Sequence, residues 1–90
     1  MRVRLAVSGR VQGVGFRWFV REAARRRRLA GWVRNRPDGS VELEVSGDDG
    51  AVREFLETVR EGPSGARVDD VEEIISSNPD ALPQPFTIIR

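Results

Sequence analysis

The chain has 90 residues, of which 39% are hydrophobic, and its 15 basic and 14 acidic residues leave a formal net charge of +1. This length suits a single domain with one core over residues 1–90, and the balanced charge argues against a nucleic-acid partner. No apolar run could span a bilayer and no secretory signal follows Met1, so we expect a cytoplasmic protein without a membrane partner.

The residue types that the sequence lacks exclude several kinds of catalytic and metal site. The sequence contains no His, Lys, Tyr or Cys, so every basic side chain is an arginine. The usual general base near neutral pH, the Schiff-base amine, the P-loop lysine and the common zinc ligands are therefore absent. We expect neither a zinc-type metal site nor catalysis through a lysine or cysteine.

The first half of the chain alternates between strand and helix patterns. Apolar residues at every second position predict a half-buried strand over residues 2–9, and apolar residues at helical spacing predict a helix over 16–28. A short strand follows over 31–36, and the turn signal PDGS leads into another alternating strand over 41–47. This half therefore has the order β-α-β-β.

The second half adds one helix and two strands. The helix begins after Asp48 or Asp49 and stops at Gly62. Its apolar stripe consists of Val52, Phe55, Leu56 and Val59. A strand is predicted over 66–77, and a proline-punctuated loop then leads to a last short strand over 86–90. The order β-α-β-β-α-β with one extra strand predicts an α+β ferredoxin-like sandwich, an antiparallel sheet with two helices on one face.

The stretch GRVQGVGFR, residues 9–17, joins the first strand to the first helix. Successive backbone N–H groups here can curl around an anion, with the positive end of the helix dipole behind them. The predicted phosphate-binding residues are Val11, Gln12, Gly13, Val14, Gly15 and Phe16. Arg17, in the first helical turn, adds a planar cation that can bind two phosphoryl oxygens.

Two common phosphate-binding motifs do not fit this loop. The P-loop pattern GxxxxGK[ST] requires a lysine, which the chain lacks. The dinucleotide-binding fingerprint requires a third glycine at a point where Arg17 and Trp18 stand. The loop therefore belongs to neither of these classes.

The predicted topology brings Asn35 to the same end of the sheet as the loop. The first two strands run in the same direction because a crossover helix joins them. With the third strand between them they lie about 10 Å apart, a gap that a side chain and a folded loop can bridge. Asn35 shares parity with Val33 and is expected to point toward the helices. Three glycines alone would equally suit a tight turn, but Arg17 and Asn35 together favour a phosphate pocket.

GRVQGVGFR, with the asparagine of GWVRN eighteen residues after Arg17, resembles the signature of the acylphosphatase family. The likeness also includes DGSVE, AVREFL, GPSGARV and the final FTI, and it runs over nearly the whole chain. The resemblance implies the ferredoxin-like fold and hydrolysis of a small acyl phosphate to carboxylate and phosphate, without metal or cofactor. It implies that Arg17 binds the phosphate and that Asn35 positions the attacking water. We also expect a monomer.

The implied reaction suits this restricted set of side chains. Phosphoryl transfer passes through a loose transition state in most analyses, so positioning and charge stabilisation supply most of the catalysis. The leaving carboxylate has a conjugate acid with a pKa of about 4 and departs without a proton from the enzyme. No histidine is therefore required.

Two alternative functions use the same fold. An RNA-binding module would expose aromatic side chains on its central strands, whereas here Glu42 and Glu44 occupy the outward face of the third strand and would repel phosphate. Trp32 is expected to pack beside the sheet. A noncatalytic anion-binding or accessory domain is the second alternative, because acylphosphatase-like modules also open larger maturation proteins. The absence of zinc-finger cysteines favours a free-standing enzyme.

The end of the first helix departs from the family pattern. Many members have Leu and then Gly there, whereas this chain has Arg27 and Arg28. Loss of the glycine is expected to strain or move the turn, at the end of the helix far from the pocket. The arginine run over 25–28 suits the negative end of the helix dipole.

Overall fold

The computed structural model describes residues 1–76 and 78–90, which form two helices and five strands. In chain order the elements are β1 (Arg2–Arg10), α1 (Phe16–Arg26), β2 (Ala30–Asn35), β3 (Val41–Ser46), α2 (Asp49–Glu61), β4 (Arg67–Ile74) and β5 (Thr87–Ile88). The predicted order of elements is confirmed. The strand predicted over 66–77 ends at Ile74, and the part of that prediction that falls on Ser77 lies outside the described residues.

The sheet has the strand order β4-β1-β3-β2-β5. β3 lies between β1 and β2 and pairs antiparallel with both, so β1 and β2 run in the same direction, as predicted. β4 pairs antiparallel with β1 at one edge. The two-residue β5 pairs parallel with β2 at the other edge, which makes the sheet mixed. A strand of this length carries no sequence pattern that indicates its direction.

The core lies between the sheet and the two helices. Alternate residues of β1 and β3 face the helices, whose apolar stripes pack onto them. Fully buried members of this layer include Phe16, Val20, Leu43, Phe55 and Phe86. The rings of Phe55 and Phe86 lie 6.0 Å apart, so the segment before β5 closes the core against α2. Among the described residues, neither helix is long and apolar enough to cross a membrane.

The end of α1 shows the strain expected from its missing glycine. The helix ends at Arg26, two residues earlier than predicted, and the N–H of Leu29 closes the turn by donating to the carbonyl of Ala24 at 3.0 Å. Arg28 has a φ of 56°, in the left-handed region that disfavours residues with a Cβ. The strain therefore falls on Arg28.

The face of the sheet away from the helices carries a network of arginines and glutamates. Glu42 and Glu44 lie on this face as predicted, but only 3% and 2% of their surface is exposed. Arg4 and Arg34 donate to Glu42 at 2.7 and 2.8 Å, and Arg2 donates to Glu44 at 2.7 Å. The expectation that these carboxylates would repel phosphate is therefore wrong, because arginine side chains fold over them and neutralise their charge.

Trp32 lies on the same outer face and not beside the sheet. It is half-buried, and the guanidinium groups of Arg4 and Arg34 lie 5.5 and 5.6 Å from the centre of its ring. Such contacts are attractive because the ring face is electron-rich. Since cations already occupy this aromatic side chain, it is not an open platform on which a base could stack.

Candidate active site

The loop between β1 and α1 contains two glycines in the left-handed conformation, which anion-binding nests use. Gly13 and Gly15 have φ values of 74° and 75°, in the left-handed region. A Cβ at either position would meet no atom within 4 Å, so the conformation, and not crowding, requires glycine. Gly15 is the N-cap of α1, and no side chain caps this helix end. The first turn of α1 therefore opens directly onto the loop.

The two ends of the predicted loop are anchored in the core. The side chains of Val11 and Phe16 are each only 1% exposed, and Val14 packs against the same apolar cluster. Gly13 and Gly15 lie at the surface between these anchors. The apolar side chains thus fix the shape of the loop, and its backbone faces outward.

The backbone N–H groups of this loop donate to no carbonyl that the structure describes. In the part of the chain that the structure describes, no carbonyl accepts a hydrogen bond from the amides of residues 11–18, and the helical ladder begins with Phe19 donating to Gly15 at 3.0 Å. The first turn of α1 contains no acidic residue. Because unpaired amides at a helix N-terminus favour negative charge, this segment is suited to bind an oxyanion.

Arg17 is the second residue of α1, and its side chain is half-buried. Within residues 1–76 and 78–90, no carboxylate pairs with it, whereas Arg2, Arg4 and Arg34 are all engaged by glutamates. Its guanidinium therefore retains its five N–H donors in a planar fork, which matches two oxygens of a phosphoryl group.

Asn35 ends β2 and lies opposite Val41 of β3. It shares its side of the strand with Val33, which is fully buried beneath the helices. The Oδ1 atom of Asn35 is buried and has no hydrogen-bond partner among the described residues. Buried polar atoms are nearly always paired, so this oxygen is available to accept a hydrogen bond from a bound water or ligand.

The turn between β2 and β3 is held by local hydrogen bonds. The hydroxyl and N–H of Ser40 donate to Oδ1 of Asp38 at 2.6 and 3.0 Å, and they lower the pKa of that carboxyl below its usual value. The N–H of Arg36 donates to the carbonyl of Ser40 at 2.8 Å. Asp38 is thus ionised near neutral pH, and its carboxylate stabilises the turn. It therefore cannot donate a proton to the site.

The side chain of Gln12 joins the loop to this turn. Its Nε2 donates to the carbonyl oxygens of Arg36 and Ser40, in both cases at 2.8 Å. Sequence reasoning assigned Gln12 only through its backbone N–H. The side-chain contact had no signal in the sequence, because its acceptors are backbone carbonyls that any residue supplies.

The fold brings the predicted site residues to one end of the sheet. The loop follows β1 and Asn35 ends the parallel β2, about 10 Å away across β3, and the Gln12 contact spans part of that gap. No group of three or more His, Cys, Asp or Glu side chains that could hold a metal occurs among the described residues. A separate cleft of about 360 Å³, between the start of β1 and the end of β4, contains none of these site residues.

The sequence and the fold of this chain are similar to those of known proteins. Residues 3–88 match the family model described as "Acylphosphatase". An acylphosphatase from Salinibacter ruber is 51% identical over 81 residues, which are 90% of this chain and 85% of that protein. The crystal structure of acylphosphatase from Bacillus subtilis superimposes with a TM-score of 0.89 at 42% identity, covering 99% of this chain and 98% of that one. The fold also matches 12% of T. kodakarensis HypF, with a TM-score of 0.79 at 33% identity.

The fold and the glycine loop at the start of the first helix define a small α+β domain of the ferredoxin-like class. The chain belongs to the acylphosphatase family. It is a hydrolase that acts on acid anhydrides, and it converts small acyl phosphates to carboxylate and inorganic phosphate.

Proposed function

We propose that residues Val11 to Phe16 and Arg17 bind the phosphoryl group of the acyl phosphate, and that Asn35 positions the attacking water. The observation that carries this proposal is the run of unpaired amides over 11–18, which lies at the same end of the sheet as the unpaired Oδ1 of Asn35. The amides and the Arg17 guanidinium are donors only, and Oδ1 is an acceptor only. The donors therefore suit phosphoryl oxygens, and the acceptor suits a water hydrogen.

The reaction then proceeds without a titrating side chain. The loop amides and Arg17 bind the phosphoryl oxygens and stabilise the charge that they carry in the transition state. Asn35 accepts one hydrogen bond from water and directs its oxygen at phosphorus. A bond forms between that oxygen and phosphorus while the bond to the carboxylate oxygen breaks, and the proton of the water passes to phosphate or solvent. The carboxylate leaves as a stable anion, with a conjugate-acid pKa of about 4.

The same argument explains selectivity for acyl phosphates. A phosphomonoester releases an alkoxide or phenoxide, whose departure is assisted by a general acid. Neither Arg17 nor Asn35 can supply a proton near neutral pH, since the guanidinium stays charged and the amide does not titrate. We therefore expect rapid phosphate release from acetyl phosphate and very slow release from a phosphomonoester.

Titration with inorganic phosphate, followed by amide NMR shifts, tests the assignment of the binding loop. Shifts should concentrate on residues 12–18. The amides at the start of α2 serve as the control, because this helix N-terminus is already capped: the carboxylate of Asp48 accepts a hydrogen bond from the N–H of Ala51 at 3.3 Å. Phosphate at ten times its Kd should also stabilise the fold by about 1.4 kcal/mol through mass action. Shifts confined to the arginine run at the end of α1 would contradict the proposal.

The monomeric state, the cytoplasmic location and the absence of a nucleic-acid partner stay predictions. Size-exclusion chromatography with light scattering checks the first, and fluorescence anisotropy with labelled RNA checks the last. A dimer would correct the predicted state without affecting the proposed site. Tight, sequence-dependent RNA binding would favour the noncatalytic alternative.

A further inference from the structure

The Gln12 side chain holds a specific place between the two halves of the proposed site. Its amide lies in the loop, and both of its acceptors lie in the turn that follows Asn35. Arg36 is the residue next to Asn35, and the carbonyl of Ser40 also closes the turn by accepting from the N–H of Arg36 at 2.8 Å. The contacts of Gln12 are therefore made with the backbone that determines where Asn35 lies.

This contact uses the full donor capacity of the group. A carboxamide nitrogen carries two hydrogens, and the two carbonyl oxygens accept one each. Gln12 is half-buried, which limits competition from solvent. Among residues 1–76 and 78–90, no other hydrogen bond joins the loop over 11–15 to the turn over 35–40.

We propose that Gln12 is a positioning residue, which sets the distance between the phosphate-binding loop and Asn35. This inference rests on the proposed roles of the loop and of Asn35. The phosphoryl group is held on one side of the contact and the attacking water on the other, so the contact governs the in-line approach of water to phosphorus. A misplacement of about 1 Å in such an arrangement can lower a rate by about a hundredfold.

Two substitutions test this role. In Gln12→Ala both hydrogen bonds are lost, and kcat should fall by about tenfold or more. The inhibition constant for inorganic phosphate should stay within about twofold of wild type, since the backbone amides of the loop bind phosphate. Gln84→Ala is the matched control, because the Gln84 amide also donates to a backbone carbonyl, that of Arg28 at 3.2 Å, near the opposite end of α1. That variant should keep wild-type kcat.

Gln12→Glu keeps the length of the side chain and adds a readout that a loss of stability would not produce. At pH 8 its carboxylate cannot donate to either carbonyl, so kcat should be low. Two facing carbonyl oxygens raise the pKa of this carboxyl, so acidification toward pH 5 should protonate it and restore one donated hydrogen bond. The variant should therefore gain activity between pH 8 and pH 5, whereas the wild type should not.

A double-mutant cycle with Asn35→Ala separates positioning from a general structural role. If Gln12 acts through Asn35, Gln12→Ala should change kcat by less than about twofold in the Asn35→Ala background. Multiplicative losses, or an unchanged kcat in Gln12→Ala, would overturn the inference about Gln12 alone. Wild-type kcat in Asn35→Ala would overturn the proposed function and this inference together. Melting curves on every variant establish that the folded state is being compared.

Discussion

Val7 and Asn35 lie at the same level of the sheet with one strand between them, since both pair with the same residue of β3. The glycine loop begins four residues after Val7, where β1 has ended. β1 and β2 are parallel because a helix crosses between them, so the loop and Asn35 emerge at one end of the sheet. The topology thus brings the proposed phosphate-binding loop and Asn35 to the same end of the sheet, although they are far apart in sequence.

The first prediction concerns Arg17. Its guanidinium is expected to contact the phosphoryl group in the ground state and in the transition state, so Arg17→Ala should weaken phosphate binding and lower kcat/KM together. Arg17→Lys should be nearly as impaired in phosphate binding and in kcat/KM, because an ammonium cannot reproduce the planar fork of the guanidinium. Phosphate inhibition constants and steady-state kinetics measure both effects.

Arg53 provides the control for this experiment. It is exposed on α2 and is not among the proposed site residues, so Arg53→Ala removes the same charge from outside the proposed site. Its phosphate inhibition constant should match that of the wild type. Equal weakening by the two substitutions would mean that net charge, and not the Arg17 fork, attracts phosphate.

The second prediction concerns pH and metals. The chain has no His or Cys, and the proposed groups do not titrate between pH 5 and 8, so kcat should vary little over that range. Turnover of acetyl phosphate should also survive incubation with a chelator. A steep enzyme-borne titration near neutrality, or strong inhibition by the chelator, would contradict the proposed chemistry.

The third prediction follows from the outer face of the sheet. Burial alone would raise the pKa of Glu42, but the hydrogen bonds from Arg4 and Arg34 outweigh it and hold the pKa below the ordinary value of 4.5. A carboxyl with a lowered folded-state pKa stabilises the fold above its unfolded pKa, and this stability is lost as the pH falls through the folded value. Glu42→Gln should therefore lower the free energy of unfolding by about 1–3 kcal/mol at pH 7.

The difference between Glu42→Gln and wild type should shrink as the pH falls from 7 toward 3, because the unfolded chain takes up the Glu42 proton at a higher pH than the folded protein does. Urea unfolding at the two pH values measures this change. Glu57→Gln, an exposed change on α2, should be nearly neutral at both. If the loss of stability in Glu42→Gln stays the same size at pH 3, the ion pairs are not its cause.

The fourth prediction concerns the strained end of α1. Arg28→Gly should raise the free energy of unfolding by about 0.5–1 kcal/mol, because relief of the left-handed strain exceeds the entropy cost of glycine. Arg26→Gly, at the last residue of the helix, should instead lower it by up to about 1 kcal/mol. Equal losses from the two substitutions would contradict the strain at Arg28.

The fold could be predicted from the sequence because its signals are local, and the roles of the candidate site residues stay predictions. Alternating apolar residues predicted the strands, and a glycine loop followed by Arg17 indicated the candidate anion site. The burial of Glu42 under two arginines could not be predicted, because it depends on how long side chains from neighbouring strands fold across the sheet. The side-chain contact of Gln12 could not be predicted either, since its partners are backbone carbonyls that the turn brings near.

The kinetics of Asn35→Ala, measured together with phosphate inhibition, test the proposed division of roles most directly. Asn35 is expected to act on water, so its removal should lower kcat by about a hundredfold or more, comparable with the loss of one preorganised polar group. The inhibition constant for phosphate should barely change, because an interaction made chiefly in the transition state leaves ground-state affinity unaffected. A kcat near that of the wild type, or a loss of phosphate binding as large as the loss of kcat, would contradict the account.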